Sequence, residues 1–456
     1  LKDYIPVIND PNRSAQERLE ALQAHRAQKE ALGLRTGGTG EVNNHIHTIY
    51  SFSPYTPSMA ALGAWEAGLE AAGSVDHDSA EAAEEMIAAC ATLGIGGCSG
   101  FEVRVSFRKR RDGSKGPFAD RKINNPDSEG LVYMTVQGIP SSARNLVREF
   151  LEPIHRERNY RNRRMVQRIN EILSALELRP LDFQTDVVDQ SKAAQGGSIT
   201  ERHLLAAVAR RFVDRYGRGP GLTEFLSKTL GLPVTPKQTA LLEDPQNPHH
   251  LYDLLGLLKT TFMYQFYIES DEAECPSVYQ VVDFADTIGA IPAYAYLGDV
   301  GESPTGDKRA EKYEDDYLEE LFDELTDMGY RAITYMPPRN TPAQLERVQR
   351  LCRDRGFMEI SGVDINSSRQ SFNCPEVLHP QFRHLIDTTW ALIAHERLAS
   401  VDRNLALFSS ANPLSRLSVE KRLELYARAG RRLDRFHPLE SAQRIAHTIQ
   451  RGDELL

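Results

Sequence analysis

The chain is short of cysteine, long apolar runs, net positive charge and nucleotide-binding signatures, and each shortage removes a class of function. Its five cysteines, Cys90, Cys98, Cys275, Cys352 and Cys374, are scattered with no Cys-x-x-Cys pair. That odd, dispersed set argues against a thiolate zinc site and fits reduced thiols in a cytoplasmic protein. No apolar run reaches bilayer-spanning length, and the polar segment that Leu1 opens is expected not to be a signal peptide. A formal net charge of −10 argues against nucleic acid as the main partner. There is no P-loop and no Rossmann fingerprint, so nothing calls for a nucleotide cofactor. Internal repeats of fixed period and low-complexity tracts are also missing.

What remains is ordinary globular material, 41% hydrophobic and 26% charged over 456 residues. It is enough for one large α/β domain with insertions or for two or three smaller domains. An N-terminal helical arm is expected over 1–40, with a helix at 14–32 and a glycine-rich turn, Thr36-Gly37-Gly38-Thr39-Gly40, as its hinge. Strand-like and helical patterns then alternate over 41–177: strands at 42–49, 73–76, 94–105 and 131–136, helices at 57–72, 80–93 and 143–176. The last helix is expected to kink or break at Pro153. Short connections between strand and helix predict parallel βα units. Residues 178–267 read as a helical insertion. The alternation resumes over 268–400 with strands at 289–296, 330–335 and 356–365, and 401–456 forms a helical extension. The fold class is therefore α/β, barrel-like with an inserted helical segment and a helical tail; an open doubly wound sheet is the alternative.

The chemistry-bearing residues fall at the ends of the expected strands, where a βα barrel places its active site. His45 and His47 are separated by one residue on a strand, so both imidazoles project from one face. Asp76 and His77 end the second strand, Glu102 lies on the third, and Asp364 with Asn366 ends a late one. Imidazole and carboxylate together suit zinc, manganese or iron.

Four blocks, His45-Ile46-His47-Thr48, Val75-Asp76-His77-Asp78, Gly100-Phe101-Glu102 and Gly362-Val363-Asp364-Ile365-Asn366, resemble in order and approximate spacing the PHP family, named for polymerase and histidinol phosphatase domains. The resemblance spans about 41–366. It implies a distorted (β/α)7 barrel, two or three divalent ions and phosphoester hydrolysis, with His45, His47, His77, Glu102 and Asp364 as metal ligands. The chain also departs from the pattern. Asn366 stands where a final histidine is usual, Tyr296 replaces another ligand, Leu131 to Gly138 holds no histidine, and Ser51-Phe52-Ser53 replaces Ser-Asp-Gly. One or two ions are therefore expected rather than three, with Asn366 at most a weak ligand.

Several further residues complete the expected site. Asp76 would orient His77 or act as base on the attacking water. Arg202 and His203, on a helix capped by Ser198 or Thr200, would lie over the metals and hold a phosphate, and some PHP phosphatases resemble this arrangement. Arg104, two residues beyond Glu102, and Arg339 are further candidates for phosphate, with Tyr296 beside them. Plainer readings stand next to these: His203 as a buried helix histidine, Arg202 as a surface charge, Tyr296 and Asn366 as packing groups. The charges from His155 to Arg164 read as the polar face of a long helix. The leading expectation is metal-dependent hydrolysis of a small phosphorylated substrate, without membrane attachment. The alternative is a degenerate barrel acting as a non-catalytic binding or regulatory module, and a third reading is metal-dependent C–N hydrolysis.

Overall fold

In the computed structural model, residues 2–34, 38–125, 128–299 and 312–450 are described. Thr36 and Gly37 of the expected hinge lie outside them. Seven strands form one sheet in sequential order: β1 Val42–Ile46, β2 Ala71–His77, β3 Gly96–Ser106, β4 Leu131–Gln137, β5 Ile291–Ala295, β6 Ala332–Tyr335 and β7 Met358–Ser361. The helices used below are α1 Ala15–Ala31, α2 Pro57–Glu66, α3 Ala83–Leu93, α4 Arg144–Ala175, α5 Glu201–Tyr216, α6 Pro236–Glu243, α7 His250–Thr261, α8 Val278–Ile288, α9 Leu318–Met328, α10 Pro342–Arg355, α11 His384–Val401, α12 Val419–Arg432 and α13 Pro438–Gln450.

The sheet curls until its first strand meets the segment after its last. His47 N–H donates to the Ile365 carbonyl at 2.9 Å, and Ile365 N–H donates to the His45 carbonyl at 3.1 Å. A side chain at Gly362 would collide with His45, its Cβ falling 2.5 Å from the His45 Cβ, so the closure requires glycine there. The result is a nearly closed α/β barrel with helices around it, as expected.

One expectation fails. β4 is antiparallel to both β3 and β5. Among the described residues no helix separates β3 from β4, and a chain that turns back without a crossover must pair antiparallel. The sheet is therefore mixed.

Helix boundaries follow local chemistry. The Ser14 hydroxyl accepts from Glu17 N–H while Glu17 reaches back to Ser14, a capping box that starts α1. Arg18 of α1 then forks onto Glu85 of α3, which also accepts from Ser58 N–H and hydroxyl. Pro153 does not break α4, which runs unbroken through 32 residues. The proline is exposed, so the carbonyl it frees faces water. Residues 278–288, left unassigned from sequence, form α8, with Val278, Val281, Val282, Ala285 and Ile288 on its buried side. Between β4 and β5 every regular element is helical, and the helices from the C-terminal half of α4 to Phe266 share an apolar cluster that includes Met165, Leu204, Phe212, Leu254 and Phe262. No helix of the described residues is long and apolar enough to cross a membrane.

Candidate metal centre

β1, β2 and the segment after β7 bring their C-terminal ends to one rim of the barrel, and the rim gathers imidazoles and carboxylates. His45 Nε2 and His47 Nε2 lie 3.2 Å apart, and His47 Nε2 lies 3.1 Å from Asp364 Oδ1. One oxygen of Glu102 faces three rings: it is 3.2 Å from His77 Nδ1, 3.7 Å from His45 Nε2 and 3.9 Å from His47 Nε2. Two overlapping groups result, His45–His47–Asp364 and His47–His77–Glu102, each with its donor atoms close enough to share a cation. Both contain His47. A divalent metal fits this donor set, and neutral imidazole with carboxylate suits zinc, manganese or iron.

The hydrogen bonds behind His47 fix how it presents itself. Asp76 is buried and accepts from Thr48 N–H at 2.7 Å, the Thr48 hydroxyl at 2.6 Å and the Ser51 hydroxyl at 2.6 Å. Ser51 has then used its proton and can only accept from His47 Nδ1, 3.2 Å away. His47 therefore keeps its proton on Nδ1 and turns Nε2 to the cluster, the orientation a metal-binding histidine needs. This corrects the expected role of Asp76. It neither touches His77 nor faces the cluster as a base; it steers His47 through Ser51.

Charge in the cluster is strongly coupled. Burial opposes a charged His47, but Asp364 and then Glu102 outweigh it and raise its pKa. Desolvation lowers His77 to about 3, so it is neutral near pH 7. Burial would raise Glu102, but His77, His45 and His47 hold it down at about 2. Asp364 is likewise held well below the usual carboxylate range, His47 overcoming the cost of its burial. A metal bound by these groups would compete with protons for the same donor atoms.

The remaining expected residues divide. The Asn366 amide donates to Asp364 Oδ1 at 2.8 Å, so it holds that carboxylate. Arg202 donates to the Asn366 carbonyl at 2.8 Å and its charge acts on Asp364, which puts it beside the cluster. His203 is a cap: its Nδ1 accepts from Thr200 N–H at 3.0 Å, its ring packs edge-on against Phe52, and burial lowers its pKa to about 3. Tyr296 is buried and donates to Asp315 at 2.7 Å, and Arg339 Nε donates to the Leu297 carbonyl at 3.1 Å. These two brace the loops after β5 and β6, and neither is brought to the histidines.

Arg104 is also withdrawn from substrate. It is buried and paired with Glu274, in a knot that includes Arg158, Arg161, Glu201 and Asp78. Arg158 and Arg161 are 4% and 5% exposed, so the expected polar face of α4 is in part an internal face. His155 belongs to the same face, its Nε2 2.6 Å from the Asp78 carbonyl. Sequence reasoning also missed Ser51 and Thr48, whose signal is a pair of hydroxyls just after His47, and Tyr133, whose ring centre lies 6.2 Å from that of His77.

No family model and no curated protein matches the chain. Among solved structures, one similar chain is a Bifidobacterium adolescentis protein named "putative metal-dependent phosphoesterase", with 17% identity, a TM-score of 0.46, and coverage of 75% of this chain and 96% of that one. Another is an amidohydrolase from Chromobacterium violaceum with bound sulfate and no metal, with 18% identity, a TM-score of 0.46, and coverage of 76% and 95%.

Proposed function

We propose that the protein is a PHP-like, metal-dependent hydrolase of small phosphoesters. The observation that carries this reading is the convergence of His45, His47, His77, Glu102 and Asp364 on one rim of the barrel. A divalent ion held there, manganese, zinc or iron, supplies Lewis acidity and makes hydroxide accessible near neutral pH. Both groups share His47, and its Nε2 can bind a single ion, so these residues would hold one or two ions.

The chain's own residues divide the remaining work. Ser51 and Asp76 keep the His47 Nδ1 proton in place, so Nε2 stays a donor to metal. Asn366 fixes Asp364, and Arg202, anchored on the Asn366 carbonyl, offers its remaining N–H groups to a phosphoryl oxygen. With Arg104 paired to Glu274, Arg202 is the arginine assigned to substrate charge.

The test is hydrolysis of a phosphomonoester and phosphodiester panel by protein reconstituted with manganese, zinc or iron. Metal-dependent turnover that His45→Ala removes is the expected result. Metal binding without turnover of any ester would overturn the hydrolase reading in favour of a non-catalytic module.

A further inference from the structure

The barrel has a second polar recess at its other end. Gly289 and Ala290 precede β5, Arg331 precedes β6, and Gly138 follows the antiparallel β4, so these residues mark the rim opposite the histidines. There a cleft of about 250 Å³ is lined by Asp286, Arg331, Arg403, Phe408, Ser409 and Ser410, with the buried His395 among its remaining wall residues.

Its charges do not balance. The Arg403 side chain is exposed and makes no hydrogen bond or ion pair with any described residue, and its stem packs over Gly289. Arg331 reaches Asp286 only through Nη2, at 3.9 Å, and its buried Nε has no partner. Arg422 stands behind Phe408, 5.6 Å from the ring centre, with Nη1 on the Leu407 carbonyl and a buried Nε that also lacks a partner. Arg331 therefore meets one carboxylate at long range, and the Arg403 and Arg422 side chains have no carboxylate partner among the described residues. Burial lowers the Arg422 pKa, with the Arg331 charge adding to it, and burial raises that of Asp286 against the Arg331 charge. Buried donors without acceptors and unneutralised arginines are what an oxyanion resolves, because the guanidinium fork matches carboxylate and phosphate alike.

We propose that this cleft binds a small dianionic molecule, a phosphate monoester or a dicarboxylate, at the barrel end remote from the metal centre. The proposal is independent of the hydrolase reading. Arg331 and Arg403 form the clamp, Ser409 and Ser410 supply hydroxyls, and the recess is too small for a polymer.

Calorimetric titration of the full chain with inorganic phosphate and, separately, with succinate tests it. Because the metal centre also attracts anions, both titrations are repeated on His45→Ala. Saturable binding of one of the two anions below about 10 mM, kept in His45→Ala and weakened roughly tenfold or more by Arg331→Ala with Arg403→Ala, is the expected result. Which anion binds tells phosphate from dicarboxylate. The single charge reversal Arg403→Glu, at an exposed position, should abolish binding without altering the circular dichroism. Binding of neither anion, binding indifferent to the arginine changes, or binding lost in His45→Ala would overturn the proposal.

Discussion

Glu102 and Arg104 lie two residues apart on one face of β3, yet they belong to clusters of opposite character. Around Arg104, acid meets base: Arg104, Arg158 and Arg161 share Glu274, while Glu201 and Asp78 take their remaining charge. Around Glu102, imidazoles crowd a carboxylate at 3.2 to 3.9 Å, and two ring nitrogens face each other at 3.2 Å. The first knot pairs both signs of charge within the chain and ties α4, α5 and the segment before α8 to the barrel. The second becomes complete with a cation. Similar burial and adjacent positions thus yield a structural group and a binding group, and the difference lies in whether the chain supplies both signs of charge.

The comparison breaks most visibly at His47. His47→Ala should abolish metal loading while the fold survives, because it removes the donor common to both groups; metal content and circular dichroism check it together. Glu274→Ala should do the reverse. It leaves three buried guanidinium groups short of an acceptor and should cost about 3–5 kcal/mol, read as a fall in thermal midpoint, with metal content of the folded fraction unchanged. Ser51→Ala tests the link from Asp76 to His47, and metal affinity should fall roughly 10–100-fold. Asn366→Ala should weaken metal binding only a few-fold, about 1 kcal/mol or less, since it removes a hydrogen bond to Asp364 and no ligand.

Acid sharpens the same contrast. The arginines overcome the burial cost of Glu274 and depress its pKa from 4.5 to about 2. A depressed carboxylate stabilises the fold above its unfolded pKa, and that contribution is lost as pH falls from about 4.5 to about 2. Denaturation at several pH values should show this acid-side loss, and it should be shallower in Glu274→Gln.

The histidines and carboxylates were legible because their spacing on strands is local: His45 and His47 share a face by the period of two, and strand ends in a βα barrel collect at one rim. The roles of the other polar residues depended on partners remote in sequence. Arg104 looks like a phosphate ligand until Glu274, 170 residues away, is placed against it. Arg158 and Arg161 look like a solvated helix face, because nothing local announces that α4 packs against the end of β2. His203 caps its helix through Thr200 three residues earlier, a contact local enough to read from the sequence. The reversed β4 escaped for a topological reason: an apolar strand pattern carries no direction.

Metal stoichiometry of the purified chain, reconstituted with manganese, zinc or iron and then dialysed, tests the central claim most directly when measured beside His47→Ala. One or two ions retained per chain, and none in the variant, is the predicted result. A wild-type chain that holds no ion, or a variant that holds as many as the wild type, would contradict it.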